Sequence, residues 1–217
     1  MCGKFRQTTF FFAVLFATGT SAPAFATSDR LYMAVQKKFE SDYKNVCETI
    51  NRVEDNGFVE PEIFDMKFNY LYEEEGSAKS ELTLFIFPCL VGAYNFASVF
   101  YSYEESLDQI SQLHFAVPEY QFDYLDDTYE TAGEIELSGF SATQFLFNPN
   151  FNEETNSIFS ISKWRGMADA SESGLWKLLD GKFVLQYYDV DATYDYNRNP
   201  IRVFGEGQPP ASDEVIN

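Results

Sequence analysis

Asp189, Asp191, Thr193, Asp195 and Asn197 put an acceptor side chain at every second position of the stretch DVDATYDYN. Those are the odd-numbered positions of a calcium-binding loop. The rest of that template is missing. The sixth position, which needs glycine for a sharp turn, is Tyr194, and the twelfth, which supplies a bidentate glutamate, is Pro200. Tyr188, Val190, Ala192, Tyr194 and Tyr196 fill the alternate places. The stretch therefore reads as a β-strand continuing from Lys182, with one apolar and one solvated face. Acids two apart on a strand stand roughly 7 Å from each other, too far for three in succession to share an ion. No metal site is expected.

The segment KWRGMADASESGLW holds the polar group with most claim to a binding role: Arg165 and Asp169, flanked by Trp164 and Trp176. Arginine and aspartate at this spacing form either a turn that closes one end of a sheet or a ligand-facing loop. Catalytic patterns are scarce. The one histidine, His114, sits in the strand-like LHFAV, and Gly139-Phe140-Ser141-Ala142-Thr143 lacks the second glycine of a nucleophile elbow. Zinc-type His and Cys spacing and phosphate-binding glycine loops are absent. Carboxylate pairs such as Glu104-Glu105, Asp126-Asp127 and Glu153-Glu154 are too common here to single out an acid and a base. No catalytic residue and no cofactor is expected, and a carboxylate-based hydrolase is kept as a rival reading.

The N-terminus frames these residues. Lys4 and Arg6 precede an apolar run from Phe10 to Ala17, and Ser21-Ala22-Pro23-Ala24-Phe25-Ala26 follows. A basic start, a short apolar core and an Ala-x-Ala end make a secretory signal peptide over residues 1–26, cleaved after Ala26, with Cys2 discarded in it. The apolar run is well short of the roughly 20 residues of a membrane-spanning helix, so no membrane insertion is expected after cleavage. Removing 26 of the 217 residues leaves 191, with 13 basic residues against 34 acidic ones, a formal charge of −21. A surface of that sign repels nucleic-acid phosphates and anionic lipid; it reads first as a solvated shell and leaves an envelope partner with a basic surface open. Cys47 and Cys89 remain, and in an oxidising compartment they are expected to pair.

The elements that would position these groups are mostly strands. Ser28-Asp29 reads as a cap for a helix whose Leu31, Val35 and Phe39 recur at near-helical spacing. From Met66 the texture changes to Phe, Tyr, Val, Ile and Thr broken by Gly, Asn, Asp and Pro. FNYLY and LTLFIF read as paired strands, NFASVFYSY as another, and ESLDQISQL as a short helix. DYLDDTYETAGEIELSGF is the most polar part, a long loop or a meeting of two halves near residues 125–140. Asp180-Gly181 between apolar strands marks a tight hairpin. The fold class expected is mainly β (α+β): antiparallel sheets built from hairpins, with an N-terminal helix. One domain is expected over residues 27–204, followed by a disordered acidic tail over 205–217.

Pro88-Cys89 with Gly92-Ala93-Tyr94-Asn95, and then Phe147-Asn148-Pro149 leading through Arg165-Gly166-Met167-Ala168-Asp169 to Trp176 and Phe183-Val184-Leu185, form two ordered blocks. Over about residues 81–190 they resemble a family of exported proteobacterial proteins classed as a domain of unknown function. Where that family carries a cysteine after the aspartate, this chain has Ala170. The resemblance implies a periplasmic protein and brings no reaction with it. The functional expectation is a non-catalytic periplasmic protein of the cell envelope that binds a partner, with a small-ligand or carbohydrate-binding module as the alternative.

Overall fold

The computed structural model describes residues 25–51, 60–74 and 76–207. All but the last two residues of the expected signal peptide, and residues 208–217 of the expected tail, lie outside that range. Helix α1 spans Phe25–Tyr43 and a single turn, α2, spans Glu48–Asn51. Ser28-Asp29, expected as the cap, lies inside α1, because no residue from Phe25 to Asp29 breaks a helix. Val35, Phe39 and Tyr43 are buried on its inner face, four residues apart, and Leu31 packs beside them.

The strands follow, all paired antiparallel. β1 (Glu62–Phe68), β2 (Ser80–Val91), β3 (Phe96–Glu104) and β4 (Gln109–Gln112) lie side by side in that order. β5 (Phe115–Gln121) and β6 (Glu136–Thr143) pair with each other as a separate two-stranded sheet. β7 (Leu146–Phe147) returns to β3. β8 (Asn150–Asn152), β9 (Ser157–Lys163), β10 (Ser171–Leu179), β11 (Lys182–Asp191) and β12 (Ile201–Gly205) form a second large sheet by successive hairpins. The fold is mainly β with one long helix near the start.

Other expectations change. FNYLY is not a strand: β1 ends at Phe68, and residues 69–72 form the turn beyond it. ESLDQISQL is not a helix: Glu105–Leu107 makes one 3₁₀ turn, Asp108 takes a left-handed φ of 48°, and the chain re-enters the sheet as β4. There Ile110 packs against the helix-side core, which an α-turn would not allow. β6 begins at Glu136, inside the segment read as loop.

β2 explains the layering. Leu82, Leu84 and Ile86 join one core with Phe100, Trp176, Leu185 and Val190 of the strands beyond. Phe85, Phe87 and Cys89 face the other way, onto Val35, Phe39 and Tyr43 of α1. A strand covered on both faces reads as an unbroken apolar run, as LTLFIF does. The first sheet is thus the middle of three layers, with α1 on one side and the second sheet on the other. Phe39 stacks on Phe87 with ring centres 4.3 Å apart, and Tyr101 Oη donates to Asp42 at 2.9 Å. Cys47 and Cys89 sit at disulfide distance, their Cα atoms 4.4 Å apart, fastening the end of the helical segment to β2.

The two sheets are also joined at one end. Asn95 Nδ2 donates to Lys163 O at 2.7 Å, and Asn148 Nδ2 donates both to Asn95 Oδ1 at 2.7 Å and to Ile161 O at 2.9 Å. At the hairpin between β10 and β11, Asp180 and Gly181 have φ of 53° and 75°, the paired positive values of a two-residue type I′ turn.

Candidate functional site

The β5–β6 hairpin packs on β11 and β12, and between it and the inner faces of β9 and β10 lies a cleft of about 310 Å³. Its floor is apolar. Leu146 and Trp176 are both buried there, and Trp176 Nε1 donates to Ala116 O at 2.9 Å, so the indole is fixed by the hairpin above it. Gly174 makes the floor flat: a Cβ at that position would lie 2.6 Å from the Trp176 ring and 2.8 Å from the Tyr188 ring. The walls are polar, with Ser160, Ser162 and Ser173 on one side and Glu119 on the other.

Glu172 is, with Glu119, one of two charged groups of this cleft, and Tyr120 Oη donates to its Oε2 at 2.7 Å. Burial, and next the Glu172 charge, push the Tyr120 phenol far above its ordinary value. Tyr188 is pushed up by the same causes in the same order, and Tyr120 adds to them. Both hydroxyls therefore stay protonated at any physiological pH and serve as hydrogen-bond donors. The arrangement offers a carboxylate held in one orientation beside aromatic rings. That chemistry recognises hydroxyls, ammonium or guanidinium groups.

Tyr120 also lines a second hollow of about 630 Å³, with Phe122, Asp123, Glu134 and Glu136. The two hollows therefore share one side chain. Together their linings carry five carboxylates and no lysine, arginine or histidine.

The residues singled out in the sequence divide between two places. Trp176 lies in the cleft floor. Arg165 and Asp169 lie in the connection from β9 to β10, where Arg165 Nε donates to Asp169 Oδ1 at 2.6 Å and Nη2 donates to Oδ2 and, at 3.0 Å, to Tyr194 O. The guanidinium lies over the rings of Tyr194 and Tyr196, 5.1 and 4.7 Å from their centres. Asp169 is buried and also accepts from Tyr196 N at 2.9 Å. The Arg165 guanidinium holds the Asp169 carboxyl well below the usual carboxylate range. This pair joins the chain after β11 to the β9–β10 turn. Trp164 stands beside it, stacked on Phe122 with ring centres 6.3 Å apart and planes 11° from parallel.

DVDATYDYN departs from its expected form. β11 ends at Asp191, and both faces of its last residues are covered rather than one being solvated. Asp189 is buried in an ion pair with Arg202 of β12. Asp191 Oδ1 accepts from Thr193 N at 3.2 Å and from Thr193 Oγ1 at 2.9 Å, and Asp195 Oδ1 accepts from Asn197 N at 2.8 Å. Asp191 and Asp195 each cap their own turn, two residues on.

Sequence reasoning missed Glu172, Tyr120, Tyr188 and Gly174. The signal that could have found them was Gly174 within a strand, a sign of close approach, with Glu172 two residues before it on the same face. No family model, no curated protein and no solved structure matches the chain.

Proposed function

We propose that this is an exported, non-catalytic protein of the bacterial cell envelope that works by holding a partner in the cleft beneath β5–β6. The observation that carries this reading is the Tyr120–Glu172 pair fixed above the buried Trp176 floor. Polar groups already oriented over an apolar surface reduce the freedom lost on binding. The volume is at the lower end of the roughly 300–1,000 Å³ of ligand sites and suits one side chain or one small group of a partner. Export is supported by the basic, apolar and small-residue order of the first 26 residues. It is supported also by a cysteine pair that an oxidising compartment keeps closed. Among the described residues no helix is long and apolar enough to cross a membrane.

The second reading, a small-molecule or carbohydrate-binding module, is favoured by the same cleft dimensions and its hydroxyl-rich wall. The test replaces Phe147, exposed at the cleft mouth, with a photo-crosslinking residue in the full-length chain. Intact cells are irradiated and the products identified by mass spectrometry. The expected result is one recurrent partner, on a chain that begins at Thr27. Recovery of the protein crosslinked only to itself, together with binding of an envelope sugar in a thermal-shift screen, would move the assignment to the second reading.

A further inference from the structure

Resting on the reading of this cleft as the binding site, we infer that its occupant is an extended basic segment of a protein partner. One cationic side chain sits against Glu172 and Tyr120, and the next one or two lie among the acids of the second hollow. Three observations lead there.

The first is sign. Glu119 and Glu172 line the cleft, and Asp123, Glu134 and Glu136 line the hollow, with no cationic side chain in either lining. The ion pairs that neutralise other acids lie elsewhere: Arg165 with Asp169, Arg202 with Asp189, Lys67 with Glu81 and Lys38 with Asp42. A concave surface of one sign concentrates ligands of the opposite sign and excludes its own.

The second is chemistry. The Tyr120 hydroxyl already directs its proton to Glu172, and the lining presents carboxylates beside aromatic rings. Ammonium and guanidinium groups satisfy both at once, by ion pairing and by contact with ring faces. A neutral sugar would satisfy the hydroxyls and leave the carboxylates without a counter-charge.

The third is length. β5 and the residues after it run through both linings, Val117 to Tyr120 in the cleft and Tyr120 to Asp123 in the hollow. At about 3.3 Å per residue those six steps cover roughly 20 Å. Among the described residues β5 pairs only with β6, so its other edge has no strand neighbour and an extended chain can follow it from one hollow to the other. A single small amine fills one hollow and not both.

The test is titration calorimetry on the processed chain with four probes: blocked hexaarginine, blocked hexaglutamate, spermine and a neutral chito-oligosaccharide. Three variants are compared, each first shown to unfold at the parent temperature. Glu172→Gln keeps an acceptor for Tyr120 and removes the charge, Glu119→Gln is the second cleft variant, and Glu153→Gln lies in an exposed turn away from both hollows. The expected result is one-to-one binding of hexaarginine, weakened about tenfold by Glu172→Gln, weakened also by Glu119→Gln, and unchanged by Glu153→Gln. Equal weakening by all three variants would assign the binding to the general acidic shell and overturn the inference. Spermine binding as tightly as hexaarginine would overturn the peptide source, and tighter binding of the oligosaccharide would overturn the cation itself. If hexaarginine fails while the Phe147 crosslinker still captures a partner in cells, the basic segment is wrong and the cleft reading stands. If both fail, both fall.

Discussion

Asp169 is the side chain on which the β9–β10 turn depends most. It is buried, accepts from the Arg165 guanidinium through both oxygens and takes Tyr196 N as well. Asp169→Asn keeps the shape and removes the charge, setting a buried amide N–H against donors where Oδ2 accepted. Calorimetry should show Tm at neutral pH lowered by roughly 5 °C. The pH dependence follows from the direction of the shift. A carboxyl whose folded pKa is depressed stabilises the native state above its unfolded value, about 3.9, and that stability disappears as pH falls below it. Between about pH 4 and pH 2 the parent protein should therefore lose Tm faster than Asp169→Asn; parallel curves would show that this pair does not govern the acid limb. Arg165 and Asp169 were legible in the sequence because four residues separate them. The Asp189–Arg202 pair was not, because it joins residues 13 apart across a strand pair whose register shifts between Tyr188 and Asp189. The acceptors of DVDATYDYN misled for a related reason: an acid that caps a turn two residues on has the same period as a strand.

At the level of elements, β10 decides whether the cleft exists. Gly174→Ala would drive a methyl into the Trp176 and Tyr188 rings, and Trp176 cannot retreat freely because its indole is bonded to Ala116 O. Overpacking of this kind costs about 1–3 kcal/mol. The expected outcome is a lower urea midpoint with an unchanged slope, together with loss of the Phe147 crosslink. A variant that keeps both would mean that the floor can reshape. The elements were read from the sequence in proportion to how much they bury. The α1 stripe and the β2 run each put apolar residues on a surface that must be covered, and the Asp180-Gly181 turn carries its backbone requirement in its residue types. β6 is exposed along most of its length, so ELSGFSAT lacks the alternation that marks a half-buried strand, and its first five residues were read as loop. The candidate site suffered most, since it joins residues far apart in the chain, Tyr120 with Glu172 across 52 residues and Ala116 with Trp176 across 60.

For the molecule as a whole, the Cys47–Cys89 bond is the covalent tie between the helical layer and the middle sheet. It closes a separation of 42 residues, worth about 4 kcal/mol by loop-closure entropy. Reduction, or Cys47→Ser with Cys89→Ser, should lower Tm by about 10 °C while leaving hexaarginine binding in place, because neither sulfur lines the cleft. A loss of binding in step with Tm would mean that the helical layer holds the cleft open from behind. The three-layer order also divides the backbone into two regimes of time. The central amides of β2 and β3 are paired in a sheet with packed cores on both faces, so deuterium can enter there only through openings close to global unfolding. The β5–β6 hairpin has one strand partner, an exposed face and a polar loop over residues 122–135, and its amides would exchange through small local openings. A partner that settles along β5 would therefore write its presence as slowed exchange in the hairpin and leave the clock of β2 and β3 untouched.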